Sequence, residues 1–441
     1  MSRERNRIIQ KRESNPVAEC KKIQEKFYPG LLKKFDHVKD PRHSSYTEYS
    51  CREMIGTLYY KGIAGISSMQ GMTREFTNET VTANLYHFMN CEAKDYVPHG
   101  VTINEFLERV DQDELEEIQK DLAYQMIRGK SFDDAKHLGK WLVLVDGTEL
   151  DEGFQQKNEY YLSRTYNRGE ENEMTKYHRS VLGAKLYLGN NLVCSIATEF
   201  IENTDEYNQK KMTEEAIKQD CESKAFKRLA EKLKKRFPRL PIIIVADGLY
   251  VNTNVIKTCK SNGWDYLFRY KVGCAPTIEE CYQKTPEKNT VGKCEYINGI
   301  IFKDEDVNVL KYTECKIKKD VEVITDFAWI TSIEITNRNA EKLVTAGRNR
   351  WKIENQGFNR QKRWQGDIEH ACSFHEKAQK NHYLMEQISD FIKQLYEYFY
   401  LKKNEIKKLQ NNISSDLLAS FGRQLTREDI SSSDMQSISA T

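Results

Sequence analysis

A chain of 441 residues, 39% hydrophobic and 30% charged, has the balance of a soluble globular protein and enough length for two or three structural units. No apolar run approaches the ~18 residues of a membrane-spanning helix, and Met1–Gln10 is charged where a signal peptide would be apolar, which points to the cytoplasm. A net charge of +2 does not advertise a polyanionic partner, so any such reading must rest on local basic patches; eleven cysteines, with no Cys-x-x-Cys pair, read as reduced thiols.

Residues 1–135 read as a mostly helical region. Tyr49–Phe76 is apolar with several glycines. Glu105–Ile127 places apolar residues at helical spacing with acids on the opposite face, and Pro41, Pro98 and Gly100 punctuate the helices. Residues 136–272 change character. Trp141–Val145 is a short buried strand, and the polar stretch Asp151–Lys176 reads as a loop. Val181–Leu188 and Leu192–Phe200 are two strands joined by the turn Gly189-Asn190-Asn191. Thr204–Phe237 reads as one helix of about nine turns, stopped by Pro238 and Pro241. The strand Ile242–Ala246, a short helix over Thr253–Ser261 and the strand Tyr266–Tyr270 follow. Alternation after a hairpin predicts an α/β fold, a mixed sheet flanked by helices.

Residues 273–327, with two prolines and short alternating runs such as Glu295–Phe302 and Val321–Thr325, read as a β-rich insertion. Within residues 328–405, Trp329–Ile335 resumes as a strand. A helix is expected over Ala340–Trp364, capped by Asn339 and weakened at Gly347, and an amphipathic helix over Ala378–Lys402. Residues 406–441 read as a polar, fraying tail.

Three acidic residues carry the chemistry. Asp146 ends the apolar run Trp141–Val145 and is followed by Gly147-Thr148; Asp247 ends Ile242–Ala246 and is followed by Gly248-Leu249-Tyr250. Glu354 lies in the expected helix after the last strand. Taken singly, each Asp-Gly is an ordinary turn and Glu354 a solvated helix residue. Jointly, two carboxylates at the ends of buried strands are costly to desolvate unless they are paired or bind a cation, and the set of hard oxygen ligands suits Mg2+. Two such ions about 4 Å apart clamp the attacking and leaving oxygens of an in-line phosphoryl displacement. Glu222 is held as an accessory carboxylate.

Local basic patches support contact with a phosphate backbone. Six basic residues against one acid lie between Arg348 and Arg363, and eight against Glu231 between Lys224 and Arg239. Solvated helix faces explain the second patch equally well. Trp351 and Trp364 are candidates for stacking on an unpaired base, though a place in the core is the commoner role for either. Arg164, Tyr166, Arg168, Lys176 and Arg179 populate the segment after the first aspartate. The spacing of His370, Cys372 and His375 fits no common zinc motif, and His87 with Cys91 is equally weak.

The block Gly347-Arg348-Asn349-Arg350-Trp351-Lys352-Ile353-Glu354-Asn355-Gln356-Gly357-Phe358-Asn359, with Asp146-Gly147-Thr148 and Ala246-Asp247-Gly248-Leu249-Tyr250, resembles bacterial insertion-sequence transposases of the DDE type. The resemblance extends over about residues 30–400, with Lys218–Glu222 and Glu369–Ala371 also familial. It implies an RNase H-like catalytic core with a β-rich insertion, cut-and-paste strand transfer, and Asp146, Asp247 and Glu354 as ligands of two Mg2+ ions, with Mn2+ as a substitute. It further implies DNA contact by Arg348, Arg350, Trp351, Arg360, Lys362 and Arg363. An N-terminal region that binds terminal inverted repeats, a target DNA, a homodimer in a synaptic complex and a nucleoid-associated location are also implied. The family's Y-x2-R-x3-E-x6-K signature is not fully matched: Gly347 stands at the tyrosine position, and Gln361 at the lysine position with Lys362 one residue later. Arg350 is in register, one turn before Glu354; a plain ion pair between them is worth only about 0.2–0.5 kcal/mol.

Two other readings compete. A decayed or repurposed transposase would bind DNA without cutting it; the intact acidic triad argues against this, and the departures at Gly347 and Gln361 keep it open. A nuclease or resolvase on the same core needs neither the helical N-terminal region nor the insertion. Nothing resembles a glycosidase.

Overall fold

The computed structural model describes residues 14–203, 219–271, 273, 275–318, 321–426 and 429. They form two compact units: one gathers the described residues up to Gly129, Leu150–Asn158 and those from Asn359 onward; the other holds Lys130–Glu149 and the described part of Glu159–Phe358.

The first unit is helical. Its N-terminal part runs α1 (Pro16–Phe27), α2 (Leu31–Asp36), α3 (Cys51–Ile63), α4 (Met69–Glu75), α5 (Glu79–Met89), α6 (Gly100–Leu107) and α7 (Gln112–Arg128). The starts are written in the local sequence. Asn15 accepts from the Val17 and Ala18 amides with Pro16 in the first turn, and Ser50 with Glu53 closes a capping box on α3. Asn90, at φ 53°, ends α5 in the left-handed conformation that asparagine tolerates.

The second unit is built on a mixed sheet. In chain order its strands are β1 (Trp141–Gly153), β2 (Leu162–Tyr166), β3 (Met174–Tyr187), β4 (Val193–Ile201), β5 (Ile242–Ala246), β6 (Asp265–Arg269), β7 (Asn289–Val291), β8 (Cys294–Phe302), β9 (Glu305–Lys318) and β10 (Val321–Thr331). The spatial order is β2-β3-β1-β5-β6-β10-β9-β8-β7, with β4 beside β3. β1, β5 and β6 run parallel, and β10 is antiparallel to β6 and β9. The helices of this unit are α8 (Glu222–Arg236), α9 (Thr253–Ser261), α10 (Pro276–Lys284) and α11 (Ala340–Arg348). The mixed sheet flanked by helices is the architecture expected from the sequence. α8 buries Ala225, Phe226, Leu229, Ala230 and Leu233 against β4 and β3. Each large side chain of that face contributes about 1.5–3 kcal/mol by leaving water.

Several expectations are corrected. The supposed loop Asp151–Lys176 continues β1 to Gly153 and contains β2 and the start of β3, which pair from Leu162↔His178 to Tyr166↔Met174. Ser, Arg and Thr at the half-exposed positions of β2 hide its alternation. In the stretch 273–327, α10 was not anticipated, and the strands there join the main sheet through β10 and β6. β10 runs unbroken across residues 327–328. Its second half is buried on β6, with Trp329↔Arg269 and Ile330↔Phe268, while its first half exposes Ile324, so the hydrophobic pattern changes within one strand. The long helix expected over Thr204–Phe237 falls partly outside the described residues; the described part begins at Glu222.

Asn339 does not cap α11. Its side chain instead accepts from the Thr336 amide at 2.8 Å. After α11 the chain tightens over Asn349–Trp351, widens into a π turn over Ile353–Phe358 and continues in the first unit as α12 (Asn359–Arg363), α13 (Glu376–Tyr396) and α14 (Gln410–Ser420). α13 is buried on nearly every side, against α1, α3, α6 and α7. α14 replaces the expected fraying at 410–420 because Ile413, Leu417 and the following Phe421 are buried. Among the described residues, no helix is long and apolar enough to cross a membrane.

Candidate active site

The site starts from two apolar strand segments, the first five residues of β1 and the whole of β5. Trp141–Val145 is at most 2% exposed and Ile242–Ala246 at most 1%. β1 and β5 pair in parallel from Trp141↔Ile242 to Leu144↔Val245. Asp146 comes two residues after the last paired residue of β1, and Asp247 two residues after its partner, just past the end of β5. Short local bonds fix both side chains: Asp146 Oδ1 accepts from the Gly147 amide at 3.1 Å, and Asp247 Oδ1 from the Leu249 amide at 2.9 Å.

Arg350 ties the third carboxylate to this pair. Its Nη1 lies 3.2 Å from Asp146 Oδ2 and 2.7 Å from Glu354 Oε1. The i,i+4 pair expected from the sequence is present, and the same nitrogen also reaches Asp146. Glu354 sits in the π turn, a wide turn that recurs at functional sites. Such a turn takes up one more residue than an α-helical turn, the same count by which Lys362 is displaced from the signature's lysine.

Glu222, at the start of α8, is a fourth carboxylate here. Its carboxyl lies against Gly147, where a Cβ would sit 2.5 Å from Cδ, and Tyr250 donates to its Oε2 at 2.9 Å. A cavity of about 290 Å³ opens beside Gly147, Glu222, Arg164 and Ser180. The sequence offered Glu222 only as an acid within a long helix expected to pack near the site; its position at the start of α8 and its contact with Gly147 were not legible.

Burial pushes the Asp146 carboxyl up to about 7; Arg350 opposes that shift, and Glu354, Asp247 and Glu222 add to it. Burial also raises Glu222, opposed by the Tyr250 hydroxyl and assisted by Asp247. Of the four carboxylates, Asp146 and Glu354 pair with the Arg350 guanidinium. Among the described residues, no three acidic, histidine or cysteine side chains form a ready metal cluster. Arg350 Nη1 lies between Asp146 and Glu354 and offsets part of their charge. The donor set is all hard oxygen and short of positive charge, which fits a divalent ion of the Mg2+ class.

The basic residues divide. Arg348 pairs with Glu314 and stacks 4.8 Å from the Phe327 ring centre. Trp351 is 50% exposed, with the Lys352 ammonium 4.8 Å from its ring. In the first unit, Arg360 is buried, with its guanidinium engaged by Asp390, Glu397 and Gln410. Those partners and its burial assign it to the core. Gln361 is likewise buried, bonded to Gln387 and Asp390. Lys362 pairs with Glu369 at 2.7 Å, while Arg363 and Trp364 are exposed. On α8, Arg228 binds Glu199 and Asp220, and Lys232 reaches the Thr198 carbonyl, so part of that basic run fastens the helix to β4.

Residues 218–384 match the family model described as "Transposase DDE domain". That span includes Glu222, Asp247, Arg350 and Glu354 and begins after Asp146. Among solved structures, the chain is similar to one described as a piggyBac transposase synaptic complex with hairpin DNA, at 12% identity and a TM-score of 0.43, covering 97% of this chain and 82% of that one. No curated protein matches.

Proposed function

We propose that the chain is a DDE transposase with an RNase H-like core that cleaves DNA and transfers the strand to a target, moving an insertion sequence by cut and paste. The observation that supports this reading is the parallel register of β1 and β5, Trp141↔Ile242 to Leu144↔Val245, which Asp146 and Asp247 each follow by two residues. Asp146, Asp247 and Glu354 would hold two Mg2+ ions, or Mn2+ in their place, with Glu222 alongside. Bound there, such ions lower the pKa of a water and neutralise charge on the phosphoryl oxygens. The chain's own residues would do the rest: the backbone within β1 at Asp146 and just past β5 at Asp247 would fix two carboxylates, and Arg350, once released from Asp146 and Glu354, would hold a phosphate. Trp351, Arg348, Lys362 and Arg363 would contact DNA; Arg360 is left out. The N-terminal helices would bind the terminal inverted repeats, two copies would form the synaptic complex, and the protein would work at the nucleoid.

A second reading, a DNA-binding protein without catalysis, is favoured by one observation: Arg350 engages both Asp146 and Glu354. Cleavage of a labelled duplex carrying the element's own ends, with Mg2+ or with EDTA, separates the two. Nicking at the element boundary that needs Mg2+ and disappears in Glu354→Ala and Asp146→Asn, with end binding retained, supports the transposase. Normal nicking by Asp146→Asn removes it, and tight end binding without nicking by the unaltered protein favours the second reading.

A further inference from the structure

Trp329 is 1% exposed, yet its indole Nε1–H has no acceptor among the described residues; the same holds for the buried Nε–H of Arg269. A buried donor left unpaired is destabilising. Both residues line one cavity of about 150 Å³, together with Phe327, Gly347, Arg348, Arg350 and Trp351, far more room than the ~10–15 Å³ one water needs.

The free polar groups of that lining are donors. Indole and guanidinium offer N–H groups and no acceptor, so the cavity rejects a metal ion and selects an acceptor with negative charge. Three guanidiniums surround it, and only two have carboxylate partners: Arg348 with Glu314, and Arg350 with Asp146 and Glu354. Arg269 has none among the described residues and rests on Phe327, 5.0 Å from its ring centre. Phe327 also stacks on Trp329 at 5.7 Å and carries Arg348, so its ring is already occupied and invites no flat base. Gly347 makes the arrangement possible, because a Cβ there would lie 2.6 Å from Trp329 Cε2. The indole thus fills the space that a side chain at the signature's tyrosine position would need.

We propose that this cavity binds a phosphodiester of the DNA strand next to the one being cleaved, with Arg269 and the Trp329 indole N–H as donors. The proposal rests on the transposase reading, since Arg350 links the cavity to the carboxylates.

Binding of the full-length protein to a short fluorescein-labelled duplex in EDTA, over a KCl series, tests it. Arg269→Gln should lower the slope of log K against log salt by about 1. Trp329→Phe keeps the ring stack and removes the orphan donor, so it should weaken binding severalfold with a melting temperature unchanged or raised. With the five tryptophans 15N-labelled on the indole nitrogen, the resonance missing in Trp329→Phe should shift when duplex or inorganic phosphate is added. If the duplex binds but both variants behave as the parent and that resonance stays still, the cavity proposal fails while the DNA reading stands. A Trp329→Phe protein that only melts lower, with unchanged affinity, also overturns it. If the parent protein binds no duplex at any salt, the transposase reading fails and the proposal with it.

Discussion

Gly147 is the residue on which the candidate site turns. It follows the first of the two aspartates, and the space a Cβ would occupy is filled by the Glu222 carboxyl. Gly147→Ala should therefore destabilise the protein by about 1–3 kcal/mol, as overpacking does. Thermal melts of Gly147→Ala, Glu222→Ala and the double variant would show it: the double variant should recover part of the loss, because removing the carboxyl removes the collision, whereas strictly additive losses would contradict the packing. The two aspartates were legible because their signal is local, an apolar run that stops at a carboxylate, although β1 itself runs on past Asp146 to Gly153. The pairing of Arg269 and Trp329 in one cavity was not, because it exists only where β6, β10 and the α11 helix meet.

At the scale of elements, charge counting along the sequence misreads α12. Arg360 was grouped with Lys362 and Arg363 by proximity, but its partners Asp390 and Glu397 lie 30 and 37 positions away, on α13 and the turn that follows it. One face of a single helical turn enters a core and the other meets solvent, and composition alone does not separate the two. The consequence is measurable. Arg360→Ala leaves buried carboxylates unpaired and should cost about 3–5 kcal/mol, whereas Arg363→Ala should stay within about 0.5 kcal/mol. Denaturant unfolding of the two variants would check this, and equal, small effects would refute the structural role of Arg360. The expected tail failed for a related reason: Ser- and Asp-rich composition conceals Ile413, Leu417 and Phe421, whose spacing is enough to dock one helix.

For the whole molecule, the raised Asp146 carboxyl links stability to pH. Its folded-state value, about 7, lies above the unfolded value of 3.8, so the folded protein holds the extra proton between them. Stability from that proton is present in acid and lost as pH rises from about 4 through 7. In EDTA the melting temperature should fall over this range more steeply for the parent than for Asp146→Asn. Mg2+ at neutral pH should restore it; at a hundredfold excess over its dissociation constant a ligand adds about 2.7 kcal/mol. A parent protein whose pH profile matches that of Asp146→Asn would show that the carboxyl is not held as described.

The helical unit is assembled from three separated stretches, and its central helix, α13, comes from the last of them. During synthesis α1, α3, α6 and α7 leave the ribosome with the faces that α13 will cover still open. Residues 130–358 must be made first, roughly 10–50 s at ordinary translation rates. The part of the protein that is made first is therefore completed last, and over that interval the nascent chain offers its uncovered helices to whatever chaperone or neighbouring polypeptide reaches them.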